Sequence, residues 1–137
     1  VRDIFRVRKL IELDAVREAK ITKAPLDSVR SAMERFVDLG PNPAWAKVAE
    51  ADAAFHQAVV EAGGSERLRS YFEAITNEIR LLLALPETHF GRGESPYEEH
   101  EELFLLLQGD ASIEQLERAW EFHLDESRDF LIRHLSD

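Results

Sequence analysis

Four side chains of cation-binding type fall in this sequence where apolar residues would be expected. Asp52 and His56 stand four apart in the stretch Trp45-Ala-Lys-Val-Ala-Glu-Ala-Asp-Ala-Ala-Phe-His-Gln-Ala-Val-Val. There Trp45, Val48, Ala49, Val59 and Val60 recur at helical spacing. Four residues is one helical turn with an offset of only about 40°, so both polar groups lie on the apolar stripe. His100 interrupts the series Tyr97, Phe104, Leu107, and His123 interrupts Ile113, Leu116, Trp120, Phe130. A carboxylate or imidazole turned into a core is costly unless something pairs with it. One such histidine is more often a hydrogen-bonded core residue than a ligand. Four intrusions in one small domain are harder to explain that way. If the helices that carry them face one another, Asp52, His56, His100 and His123 converge. Neutral imidazoles with a carboxylate suit zinc foremost, and also nickel, manganese or iron, and a bound cation removes the penalty of burying Asp52. The chain has no cysteine, so thiolate sites and disulfides are excluded.

Six helices are expected to carry these groups. The first runs from about Arg2 to Lys20 on a stripe of Ile4, Val7, Ile11, Ala15 and Ala19. Arg8 borders that stripe; such an arginine usually reaches solvent or pairs with an acid, and the alternative is a cation aimed at an anionic ligand. Pro25 suits the first turn of a second helix, whose face is Leu26, Val29, Ala32, Met33 and Phe36. Asn42 as N-cap with Pro43 behind it starts the third helix, and Gly63-Gly64 ends it. Ser65 caps the fourth, which turns Leu68, Phe72, Ile75, Ile79, Leu82 and Leu83 inward. Asn77 and Arg80 flank that stripe. Pro86 to Glu94 is irregular, and His89 within it reads as an exposed loop residue. Ser95-Pro96-Tyr97-Glu98 and Ser112 with Gln115 are capping boxes that open the fifth and sixth helices. His134 lies eleven residues beyond His123, about 16 Å along a straight helix, and cannot share its metal. The fold class is all-α: an antiparallel bundle of six or seven helices joined by short links.

At 137 residues the chain is one domain's worth, with 45% apolar and 32% charged residues. A net charge of −10 argues against direct nucleic-acid binding. Residues 1–35 hold nine basic and six acidic groups, +3, and the remainder −13. This asymmetry fits a solvated basic first helix. No apolar run approaches the roughly 18 residues of a membrane span. No serine nucleophile sits in a recognisable setting, and neither a Gly-rich phosphate loop nor a His-Glu-x-x-His pattern occurs. An enzyme is therefore not expected. The rival readings are a small metal-dependent hydrolase or oxygenase, which would need a general base near the metal, and a plain dimerising bundle. For the former, the seams offer no further carboxylate or imidazole at the level of the four ligands.

Three blocks resemble the C-terminal ligand-binding (FCD) domain of FadR-type regulators in the GntR family. They are Asp52-Ala-Ala-Phe55-His56 running on to Ala62-Gly63, Glu99-His100 running on to Gly109-Asp110, and Phe122-His123-Leu124. The opening Ile4-Phe-Arg-Val-Arg8-Lys-Leu-Ile-Glu12-Leu is similar to the family's first helix. The resemblance implies that residues 1–137 form an effector-binding, dimerising domain of a cytoplasmic transcription regulator. It implies metal ligation by Asp52, His56, His100 and His123, the same four residues found from the seams. It implies a small organic-acid effector whose carboxylate meets the metal, helped by Arg8 and Arg80, with Asn77 beside them. The family usually has Gly-Asn after the third helix, where this chain has Gly63-Gly64-Ser65; a changed cap is expected there. The family's winged helix-turn-helix is not in this chain and would join at Val1, so DNA contact is expected only through that further domain.

Overall fold

The computed structural model describes residues 1–84 and 96–134, with the side chains of 83 and 84 left aside. Among them are six helices and no strand: α1 (Arg2–Thr22), α2 (Asp27–Val37), α3 (Trp45–Ala62), α4 (Glu66–Ala84), α5 (Pro96–Gln108) and α6 (Ile113–His134). The expected all-α bundle is therefore observed. The stretch 86–94 with His89, and Ser95, expected as an N-cap, lie outside the described residues.

Chain polarity follows from the contacts. Phe5 packs with Ile79 while Ile11 and Ala15 pack with Phe72, so α1 and α4 are antiparallel. Lys9 pairs with Asp125 and Arg17 approaches Glu117, so α1 and α6 are antiparallel too. Between α1 and α3 the order is parallel. Arg8 meets Asp52 and Glu12 meets His56, each pair 44 residues apart. That register sets one polar residue of α1 beside each polar residue of α3.

α3 is the central rod, packed on α1, α2 and α4. It buries Val48, Ala49, Ala51, Asp52, Phe55, His56, Ala58, Val59 and Val60, most of its circumference rather than one stripe. A dry core of Val16, Val29, Phe36, Phe55, Leu107, Leu116 and Trp120 fills one part of the bundle. A second cluster gathers Phe5, Ala49, Ile79, Phe130 and Leu131.

Several ends follow their caps. Ser65 Oγ accepts from Leu68 N at 3.1 Å. Ser112 and Gln115 bond reciprocally, at 2.9 and 3.1 Å. Gly64 takes the left-handed turn after α3, with φ +83°. The other glycine, Gly63, serves a close approach: a Cβ there would stand 2.7 Å from Ala15 Cα. Two ends differ from the expectation. α3 begins at Trp45 behind an extended Ala44, without a side-chain cap, so Asn42 and Pro43 lie outside it. Trp45 packs on Phe130 with ring centroids 5.9 Å apart, and that tertiary contact takes the place of a polar cap. α1 runs on to Thr22 because Lys23 itself turns left-handed (φ 53°), a conformation a lysine does not advertise. Pro25 then precedes α2 instead of entering it.

Candidate metal centre

Asp52 and His56 from α3, His100 from α5 and His123 from α6 meet at one point. One ligand atom from each lies within 4.8 Å of all the others, and together they form a group that could hold a metal ion. His100 Nε2 is 2.9 Å from Asp52 Oδ1, His56 Nε2 is 3.4 Å from the same oxygen, and His123 Nε2 is 3.3 Å from His56 Nε2. Ligand atoms each about 2.1 Å from a shared ion stand roughly 3 to 3.4 Å apart.

The opposite nitrogen of each ring is held from behind. His56 Nδ1 donates to Glu12 Oε1 at 2.5 Å, His123 Nδ1 to Glu99 Oε1 at 2.8 Å, and His100 Nδ1 to the Pro96 carbonyl at 2.8 Å. All three partners can only accept, because a carboxylate and a carbonyl have no proton to offer. Each ring must therefore carry a hydrogen on Nδ1, and a neutral ring then turns its Nε2 lone pair inward. Three lone pairs and a carboxylate oxygen then face one another at contact distance. Such an arrangement is repulsive unless a proton or a cation sits among them, and tying the outer nitrogen is how proteins orient ligating histidines. Aromatic packing fixes the planes: Phe36 of α2 stacks on His100 at 4.4 Å, and Phe55 meets its edge at 4.9 Å.

Charges on α1 complete the arrangement. Glu12 is fully buried and accepts from Arg8 Nε, His56 Nδ1 and Trp120 Nε1. Burial alone would raise its pKa, yet the charges of His56 and Arg8 and the hydrogen bonds it accepts bring it down to about 2. Burial likewise works against ionised Asp52, but the charge of a protonated His56, the hydrogen bonds that His100 and His56 donate when a proton rather than a cation sits among the rings, and the Arg8 charge hold it well below the usual carboxylate range. For His56, burial and Arg8 oppose the charged form; Glu12 and Asp52 outweigh them, and its pKa is raised. Burial dominates at His123, and only partly offset by Glu99 it lowers that ring to about 4. Arg8 is 1% exposed, with Nη2 3.8 Å from Asp52 Oδ2. Its Nη1 finds no partner among the described residues. Arg8 thus pairs with an acid, in the interior rather than at the surface.

A cavity of about 40 Å³ opens onto the cluster, room for roughly two or three water-sized groups. Trp45, Val48, Ala49 and Phe130 make its apolar wall; Asp52, His100, His123, Glu99 and Ser127 make its polar side. Asn77 and Arg80 are not part of that lining. They sit on the exposed face of α4, where Arg80 Nη2 donates to Asn77 Oδ1 at 3.3 Å. His134 is exposed at the end of α6 and donates to the Phe130 carbonyl.

Sequence reasoning missed Glu12 and Glu99. Two further carboxylates do stand at the level of the cluster, contrary to the reading of the seams. Both are spent on the outer nitrogens of histidines. The signal for Glu12 was present: it follows Arg8 by one turn on the face of Ile4, Ile11 and Ala15.

A helical bundle that buries an acceptor-lined pocket beside a small cavity has the form of a ligand-binding domain. Residues 3–126 match the family model of the FCD domain, and the chain belongs to that family, whose domains occur in GntR-family regulators as regulatory ligand-binding units. No curated protein and no solved structure matches the chain. No helix among the described residues is long and apolar enough to cross a membrane.

Proposed function

We propose that this domain senses a small organic acid through a divalent metal and passes that signal on as a homodimer. Asp52, His56, His100 and His123 are the proposed ligands. The observation that carries the reading is that all three imidazoles are tied at Nδ1 to acceptors, so that as neutral rings they point their lone pairs at one another and at a carboxylate. The donor set, imidazole and carboxylate without sulfur, fits zinc, nickel, manganese or iron. When bound, such an ion supplies a Lewis-acidic position for an effector carboxylate. The apolar wall of Trp45, Val48 and Phe130 would then receive the rest of a small effector. Arg8 is the arginine proposed to assist, since its guanidinium already lies beside Asp52 with one nitrogen unsatisfied. Binding would favour one packing of α3, α5 and α6 over another, and so bias a DNA-binding domain joined to this one.

Metal content of the purified chain, followed by crystals soaked with candidate organic acids and read by anomalous scattering, tests the reading. One ion per chain within reach of all four side chains is expected. A chain that takes up no divalent metal, and whose melting responds to neither chelator nor added zinc, would overturn it.

A further inference from the structure

Deepening the homodimer reading above, on which it rests, we propose that the outward face of α1 is the surface on which a second copy of this chain docks, antiparallel, about a twofold axis through Leu10.

Among the described residues, large apolar residues left exposed occur singly on α2, α5 and α6, and α4 carries Tyr71 and Leu81. On α1 they form a series: Val7, Leu10 and Ile21, with Leu10 69% and Ile21 53% exposed. Positions 3, 7, 10, 14, 17 and 21 alternate by four and three, which is one continuous helix face. Tyr71 of α4, 59% exposed, widens it. Leu68 and Ile75 share the flank of Tyr71, and both pack against the Ile11–Ala15 cluster of α1.

The charges on that face name the occupant. In sequence order they are Asp3, Asp14 and Arg17 within that series, with Arg6 on its flank one turn before Leu10. Asp3, Arg6 and Asp14 make no ion pair among the described residues, and Arg17 reaches Glu117 only at 4.0 Å. Asp3 and Arg17 each lie seven residues from Leu10, about 10 Å along the axis, and Arg6 and Asp14 each lie four, about 6 Å. A twofold axis at Leu10 therefore sets Asp3 against the partner's Arg17 and Arg6 against the partner's Asp14, each twice. Val7 then lies opposite the partner's Leu13, which is half-buried in its own chain. Parallel docking would put every charge against its own copy. An isologous interface requires this self-complementarity under reversal, and a partner of a different sequence has no reason to match it.

Charge exchange tests it on the 137-residue chain, with sedimentation velocity reading the dimer and circular dichroism reading the fold. The parent chain is expected to dimerise. Leu10→Asp, Arg6→Asp alone and Asp14→Arg alone are each expected to raise the dimer dissociation constant at least about tenfold with helicity unchanged. An equimolar mixture of the Arg6→Asp and Asp14→Arg chains pairs opposite charges at both contacts, so heterodimers should form where neither chain dimerises alone. A parent dimer indifferent to all three substitutions would overturn this face and leave the homodimer reading standing. A parent chain that is monomeric at every concentration would overturn both.

Discussion

α1 passes through two different interiors. From Ala15 to Ala19 it packs Ala15, Val16 and Ala19 into the apolar clusters of the core. One and two turns earlier the same helix buries Glu12 and Arg8 as completely, against Asp52, His56 and Trp120. Burial is equal, but what holds each part is not. Apolar burial is non-directional and indifferent to pH and metal. The charged part is held by directional bonds that presuppose a particular protonation pattern, and its three inward lone pairs leave a deficit of positive charge. The dry part fixes the register of α1 on α3, and the polar part uses that register to aim ligands.

The largest effect should come from breaking the polar part behind the ligands. Glu12→Ala strands the Arg8 guanidinium, the Trp120 N–H and the outer nitrogen of His56. Removing one partner of a buried pair typically costs about 3–5 kcal/mol, and losing a histidine's outer partner weakens metal binding roughly 10- to 100-fold. Urea denaturation and calorimetric zinc titration would check both; a variant matching the parent in metal affinity would refute Glu12's orienting role. Leu116→Ala is the counterpart in the dry core, where Leu116 is fully buried. It should lose about 2–5 kcal/mol while zinc affinity stays within about twofold, since nothing polar is left unpaired. If that substitution damaged metal binding as much as Glu12→Ala, the two interiors would not be separable.

Metal loading comes next. Zinc at a hundredfold excess over its dissociation constant should stabilise the parent by about 2.7 kcal/mol, and His123→Ala should abolish the gain. Thermal melts with and without chelator measure it. Acid then separates the two interiors in the metal-free chain. A native His123 depressed to about 4 stays neutral where the unfolded chain, near the ordinary 6.5, takes up a proton. Its contribution is lost as pH falls from about 6.5 to about 4. His56 has the opposite sign: raised above 6.5, it favours the folded state at lower pH, and that contribution disappears as pH rises through the raised value. Replacing His123 by asparagine, which keeps a donor for Glu99, should therefore flatten the acid-side loss of stability in urea midpoints between pH 4 and 7. Parallel curves for parent and variant would mean that His123 is not the group responsible.

How much of this could be read from residues alone follows the same division. Asp52, His56, His100 and His123 were legible because each breaks an apolar period, and a polar residue on a greasy face is a local signal. Ser65, Ser112 and Gln115 were legible because capping is local too. Glu12 was not, since its partners His56 and Trp120 are 44 and 108 residues away, and an acid one turn from an arginine reads as a surface pair. The burial of Phe55, Ala51 and Ala58 escaped because a stripe reading grants a helix one buried face, whereas α3 is enclosed by three neighbours. Arg80 and Asn77 flank the α4 stripe by spacing, and their exposed mutual pair agrees with that; only the effector role given to them came by resemblance.

The smallest and sharpest test concerns the joint between the two interiors. Gly63 and Gly64 adjoin at the end of α3 but do different work. A methyl at Gly64 meets nothing within 4 Å, so Gly64→Ala bears only the strain of φ +83°, about 1 kcal/mol. A methyl at Gly63 meets the backbone of Ala15 at 2.7 Å and must push α1 off α3, at about 1–3 kcal/mol. That push acts on the contact holding Glu12 beside His56 and Arg8 beside Asp52. Gly63→Ala should therefore weaken zinc binding several-fold out of proportion to its loss of stability, and Gly64→Ala should leave zinc binding unchanged. Equal effects on zinc affinity in the two variants would mean that the α1–α3 register does not govern the ligands, and that the polar part positions itself.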